Sequence, residues 1–373
     1  LFDRLKARPQ RSPSLALQLG DFWMWRKELA RAVEEYEKAL TNGSNPLVER
    51  KLASAYITLG RWDEAERTTQ KILADDPEDL QGLTFRAALR HLRGDASGAE
   101  HELRAVLQQG PNSPFANYYL GLALMEQAKL EEAEITFHKC IEINPQFAEA
   151  FEKLAEIRLE RGDWELGVHY AQKAVSLQGQ NPQSYLLLAQ AYLYQGNANR
   201  AEQVLNRLQT IAPDSSIVEE LLGTTYVLQG KVQKGFETYE RAWERSQQPV
   251  GSLSRFVDVF VARGRTQQAL RRVQRIIARD PRPGYYEILA RLHLNSGRLR
   301  DAQAACREAL RLDEASWVSH FYLAQIAERQ NKPGQALAHY NQVIQRQPDQ
   351  SPPYTLAGDI QLRQGAFDEA RSY

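Results

Sequence analysis

One arrangement of apolar and polar positions returns from near the start of the chain to its end. In the stretch NPQSYLLLAQAYLYQG, Tyr185, Leu188, Ala189 and Tyr192 fall three and four residues apart. Gly196 interrupts the pattern, and Ala201, Leu205 and Leu208 resume it in NANRAEQVLNRLQTIAP. This spacing puts the apolar side chains on one stripe of a helix, so the segment predicts two amphipathic helices joined at the glycine. Pro213 ends the second, because proline has no amide proton and clashes with the preceding turn.

The unit recurs about every 34 residues. Prolines at 77, 111, 145, 213, 281 and 348 and glycines at 60, 94, 162, 196, 230, 264, 297 and 365 keep the same phase. Five residues after each glycine stands Ala or Gly, as at Ala65, Gly167 and Ala302. Small side chains let two helix axes approach, and a ring beside them fills the remaining gap. The run from Ala133 through Phe137 and Cys140 to Pro145 has this form. Units begin near residues 13, 46, 80, 114, 148, 182, 216, 250, 283, 317 and 351. Lys27, Ala128 and Asn331 stand where the turn glycine belongs, and the fifth, seventh and ninth units lack proline in register. Pro182 and Pro249 come two or three residues late, which predicts slightly longer connections there.

A helical hairpin of this length, with Leu52, Leu120 and Leu154 on its first helix, Tyr56, Tyr192 and Tyr226 four residues beyond that leucine position, and the Ala/Phe/Pro series on its second, resembles the tetratricopeptide repeat. The resemblance implies an all-α fold, a right-handed superhelical solenoid of antiparallel helix hairpins. About eleven repeats would form a single array over residues 13–373, the last cut off in its second helix. Residues 1–12 read as the remnant of a preceding repeat helix, and the missing initiator Met as the mark of a fragment.

The resemblance also implies that the second, fifth, ninth and twelfth residues of each unit face a concave surface lined by first helices. In the fourth unit these are Phe115, Tyr118, Leu122 and Met125; in the fifth they include Glu152 and Glu156; in the sixth they include Gln190, with Tyr194 close by. An apolar patch rimmed by carboxylates suits a peptide or helix with apolar anchors and basic flanks. The alternative is that curvature buries these residues within the array. Modules that clamp acidic chaperone tails carry Lys and Asn at the fifth and ninth positions, where this chain has Arg50 with Ser54 and Tyr118 with Leu122. The asparagine ladder of sugar-transferring repeat enzymes is missing as well: the sixth position holds Lys51, Phe85, Tyr119 and Leu187.

Charge adds one feature. Lys and Arg balance Asp and Glu at 47 each, so no overall field draws the chain to nucleic acid or an anionic membrane. Between Arg255 and Arg311, however, thirteen arginines face five acids. Arg271, Arg272, Arg275 and Arg279 follow helical spacing on one second helix, a basic patch fit for an acidic partner, an anionic polysaccharide or a phosphorylated surface. A solvated outer face is the plainer reading. No aromatic residues interleave that stripe, which argues against nucleic acid.

Catalytic signals are missing. In GTTYVLQGK the glycines are wrongly spaced for a phosphate loop and lie within a predicted helix, and His101-Glu102 has Ala105 where a zinc protease needs its second histidine. Cys140 and Cys306 fall at core positions of predicted helices. Neither cofactor nor metal is expected. No apolar run approaches the roughly 18 residues of a membrane span, so a soluble chain is expected. These features predict a non-enzymatic scaffold that binds a protein or peptide in its concave groove. Arginine outnumbers lysine 35 to 12, a bias that points to bacterial envelope or exopolysaccharide assembly, with cytoplasm and periplasm both open. The alternatives are a substrate-recruiting arm of a larger enzyme or export protein, and an anionic-polymer binder acting through residues 255–311.

Overall fold

A computed structural model describes residues 12–41, 43–246 and 249–373. Among them it forms 22 helices and no strand. The first helices of successive repeats are α1 (Pro13–Trp25), α3 (Pro46–Leu59), α5 (Leu80–Leu92), α7 (Pro114–Glu126), α9 (Ala148–Glu160), α11 (Pro182–Tyr194), α13 (Ser216–Leu228), α15 (Pro249–Ala262), α17 (Pro283–Asn295), α19 (Trp317–Arg329) and α21 (Ser351–Arg363). The second helices are α2 (Leu29–Ala39), α4 (Trp62–Asp75), α6 (Ala96–Gln109), α8 (Leu130–Ile143), α10 (Trp164–Leu177), α12 (Ala198–Ile211), α14 (Val232–Arg245), α16 (Thr266–Arg279), α18 (Leu299–Leu312), α20 (Pro333–Arg346) and α22 (Phe367–Ala370). The expected remnant at residues 1–12 lies outside the described residues except for Ser12, whose side chain caps α1 by accepting from the Leu15 amide.

Local chemistry sets the ends. Asn45, Ser113 and Ser316 accept hydrogen bonds from the first free amides of α3, α7 and α19, and proline occupies the first turn of α1, α3, α7 and α11. The turn inside a hairpin needs a left-handed residue, which Gly60 supplies at φ 73°. Lys27, Ala128 and Asn331 adopt the same region at φ 59°, 58° and 56°. The packed hairpin imposes this conformation even where the residue resists it. The bend after a second helix behaves likewise. Asp76 and Asn144 are extended ahead of Pro77 and Pro145, and Asp313 takes the same form although Glu314 follows.

The longer connection expected at Pro182 is not there. From Leu177 to Pro182 the interval matches that from Ile143 to Ala148 one junction earlier, because Pro182 opens α11 instead of ending α10. Pro249 opens α15 in the same way.

The chain divides into two compact units, Leu1–Gln195 and Gly196–Tyr373. In the first, Leu19, Tyr36, Leu103, Phe137 and Leu154 are fully enclosed, and in the second Phe260, Tyr285, Cys306 and Tyr340 are. A methyl group added at Gly121 would stand 2.6 Å from the Phe137 ring, and one at Gly223 would stand 2.6 Å from Tyr239. This first-helix position is Gly or Ala in every repeat but the eighth, which has Val257. There α16 stands off α15, whereas α14 packs closely along α13 and α18 along α17.

Candidate functional site

Within the first unit, inward positions of successive first helices converge on an open cavity of about 500 Å³. Met24, Leu47, Phe85 and Phe115 give it apolar walls, and Asp21, Arg50, Lys51, Ser54, Gln81 and Thr84 add polar groups. The Phe85 and Phe115 rings meet edge to face with centroids 5.8 Å apart. Lys51 Nζ lies 2.7 Å from Asp21, which also accepts the Tyr36 hydroxyl at 2.7 Å. Burial first, and then this bond to Asp21, push the Tyr36 hydroxyl well above the ordinary phenol range. Arg50 pairs with Asp79, the cap of α5. The volume falls within the roughly 300–1,000 Å³ of ligand sites, and the walls mix apolar seats with fixed charges.

Phe115 is the residue shared by this cavity and the patch expected from sequence. Tyr118, Leu122 and Met125 are half-buried against the first unit's core. Tyr118 packs between Phe137 and Phe147, with centroids at 5.9 and 5.0 Å, and burial raises its pKa strongly. Burial likewise pushes its neighbour Tyr119 to about 12. Glu152 is buried, 7% exposed, and accepts hydrogen bonds from Asn181 at 3.0 Å and from the Ser184 hydroxyl. Desolvation raises its carboxyl above the usual range. Glu156 pairs with Lys153 at 2.8 Å. Gln190 is exposed. Tyr194, 62% exposed, stacks on Trp164 at 5.2 Å with planes 19° apart.

Met24, Leu47, Thr84 and Phe85 were not singled out from sequence. A signal was available for three of them. Of the twelve residues that the inward-position rule selects in the first three repeats, seven line the cavity: Asp21, Met24, Leu47, Arg50, Ser54, Gln81 and Thr84. Phe85, one residue after an inward position, becomes visible only through its contact with Phe115.

In the second unit, Arg271, Arg272 and Arg275 line a different cavity, and Arg279 is exposed one turn further along α16. Arg272 is half-buried and paired with Glu240. Cys140 and Cys306 are buried, with thiols pushed by desolvation to about 12, far from thiolate chemistry at neutral pH. Among the described residues no group of His, Cys, Asp and Glu is arranged to hold a metal ion, and no helix is long and apolar enough to cross a membrane.

Tandem two-helix repeats with an inner wall of first-helix side chains define a helical-repeat protein. The tetratricopeptide repeat profile matches residues 24–89, 93–146, 158–223, 255–316, 289–352 and 323–373. The chain belongs to the tetratricopeptide repeat family. It is similar to anaphase-promoting complex subunit 3 of Schizosaccharomyces pombe, 24% identical over 57% of this chain and 32% of that protein. It is also similar to the peroxisomal targeting signal receptor of Pichia angusta, 31% identical over 28% of this chain and 19% of that one. These matches span a third or less of either relative. Yeast Tom70 aligns with 96% of this chain and 90% of its own at 14% identity and a TM-score of 0.45. The pilus biogenesis factor PilW aligns with 56% and 98% at 22% identity and a TM-score of 0.45.

Proposed function

We propose that this chain is a non-enzymatic interaction scaffold whose first unit holds an extended peptide segment against its first helices. The observation that carries this reading is the 500 Å³ cavity, whose walls bring apolar seats and fixed charges together. Phe85 and Phe115 seat the principal apolar side chain, and half-buried Tyr118, Leu122 and Met125 continue the apolar row. Arg50 and Lys51 take carboxylates or backbone carbonyls by exchanging them for Asp79 and Asp21. The resemblance to a protein named as a receptor for a targeting signal agrees with a peptide ligand. The envelope or exopolysaccharide setting rests on arginine-rich composition, and fractionation of the native protein in its source cells tests it.

Selection from a phage-displayed random peptide library is the direct test. Selected peptides are expected to photo-crosslink to a reactive residue placed at Ser54 or Gln81, and to bind Phe85→Ala or Phe115→Ala at least about tenfold more weakly. Peptides that crosslink only to second-helix positions, or bind both variants like the parent, would overturn the assignment.

A further inference from the structure

The second unit carries a recess of about 440 Å³ between the second helices α14 and α16. From α14 it is walled by Val232, Phe236 and Glu240. From the other side come Arg265, at the cap of α16, and Arg271, Arg272 and Arg275, with Gln268 among them. Residues 268, 271, 272 and 275 share one helix face, so three guanidinium groups are projected into the same space. Val257 stands at the position that is Gly or Ala in every other repeat, α16 packs more loosely on α15 than second helices do in the neighbouring hairpins, and the recess opens between α16 and α14.

Most of the charge of this recess is uncompensated. Arg272 pairs with Glu240, but among the described residues no carboxylate pairs with Arg265, Arg271, Arg275 or Arg279. Some second-helix cations elsewhere find partners in their own or the next repeat: Arg104 meets Glu100 at 2.8 Å and Glu132 at 2.6 Å, and Arg245 meets Glu219 at 3.3 Å. Desolvation, and then repulsion from Arg275 and Arg279, lower the Arg272 pKa. The Gln268 side-chain oxygen is buried without a hydrogen-bond partner. Turning that amide over would replace the orphan acceptor by a donor aimed at an anion.

The geometry points to a binding site for a compact phosphate-bearing group, independent of the peptide groove, in which Arg265, Arg271 and Arg275 grip the oxygens. Guanidinium forks match phosphate oxygens in bidentate pairs, and several converging on one recess favour a small, multiply charged group over an extended acidic chain. Val232 and Phe236 form an apolar floor for whatever bears the phosphate. Glu240 competes with the ligand for Arg272.

Calorimetry in about 150 mM salt, using inorganic pyrophosphate and a phosphoserine pentapeptide with its unphosphorylated counterpart, tests the site on the chain as described. Saturable binding of either phosphorylated probe with Kd below about 1 mM is expected. The two arms distinguish a free phosphate compound from a phosphorylated polypeptide. Arg271→Gln combined with Arg275→Gln should weaken it at least about tenfold, and Glu240→Gln should tighten it. Arg300→Gln combined with Arg307→Gln removes the same charge from exposed positions of α18 and should leave it unchanged. Failure of both probes to bind, or equal loss in the two double variants, would overturn the site in favour of a diffuse basic surface.

Discussion

Ser316 donates its hydroxyl hydrogen to Glu287 at 2.5 Å, joining the cap of α19 to the first helix of the preceding repeat. Ser184 does the same to Glu152 in the first unit. In both places a carboxylate at the fifth position of one repeat accepts a hydroxyl from the start of the next, so the junction is polar as well as apolar.

These junctions make stability depend on pH. Burial raises the Glu287 and Glu152 carboxyls, with the serine hydroxyls partly opposing it. With the folded pKa above the unfolded value, their contribution is fully present below the ordinary carboxylate pKa and is lost as pH rises through the raised one. Glu287→Gln keeps an oxygen for Ser316 and removes the buried charge. Its urea midpoint at pH 7 is expected to equal or exceed the parent's, with a flatter profile between pH 4 and 7. A midpoint that falls at pH 7 but not at pH 4 would show that the ionised carboxylate is needed.

His320 and His339 act with the opposite sign. Their Nδ1 atoms lie 3.1 Å apart, an arrangement that cannot accommodate two imidazolium rings. Desolvation lowers both pKa values, and each other's proximity and Arg346 lower that of His320 further. Stability from this pair is present above about pH 6.5 and is lost as pH falls through the depressed folded values. His339→Gln should therefore reduce the drop in urea midpoint between pH 7.5 and pH 5; an unchanged drop would place the titration elsewhere.

The strained turn at Ala128 can be relieved. At φ 58° an alanine carries the left-handed penalty that Gly60, at φ 73°, avoids. After allowance for the greater freedom of unfolded glycine, Ala128→Gly is expected to add about 0.5–1 kcal/mol, and Gly60→Ala to remove about 1 kcal/mol. Chemical denaturation of the two variants measures both changes.

Close approach within a hairpin can be tested at Gly121. A methyl there meets the fully buried Phe137 ring at 2.6 Å, so Gly121→Ala should cost about 1–3 kcal/mol despite alanine's better helix propensity. Gly334 has nothing within 4 Å of an added methyl, and Gly334→Ala should stabilise by up to about 1 kcal/mol. Equal effects at the two glycines would mean that helix propensity, not helix spacing, decides the outcome.

The sequence by itself determined the period, the two helices of each repeat and the residues that turn or end them, because spacing, caps, glycine and proline act over a few neighbouring residues. Tertiary structure decided which inward side chains stay open and which are consumed. Glu152 read as a groove residue until Ser184, 32 residues away, claimed it. Phe85 carried no signal until Phe115 met its ring, and the arginines of α16 were an ordinary charged stripe until Val232, Phe236 and Glu240 of α14 walled the other side of their recess. The separation between successive hairpins depends on side-chain volumes contributed by different repeats, and the pattern within one helix does not encode that sum.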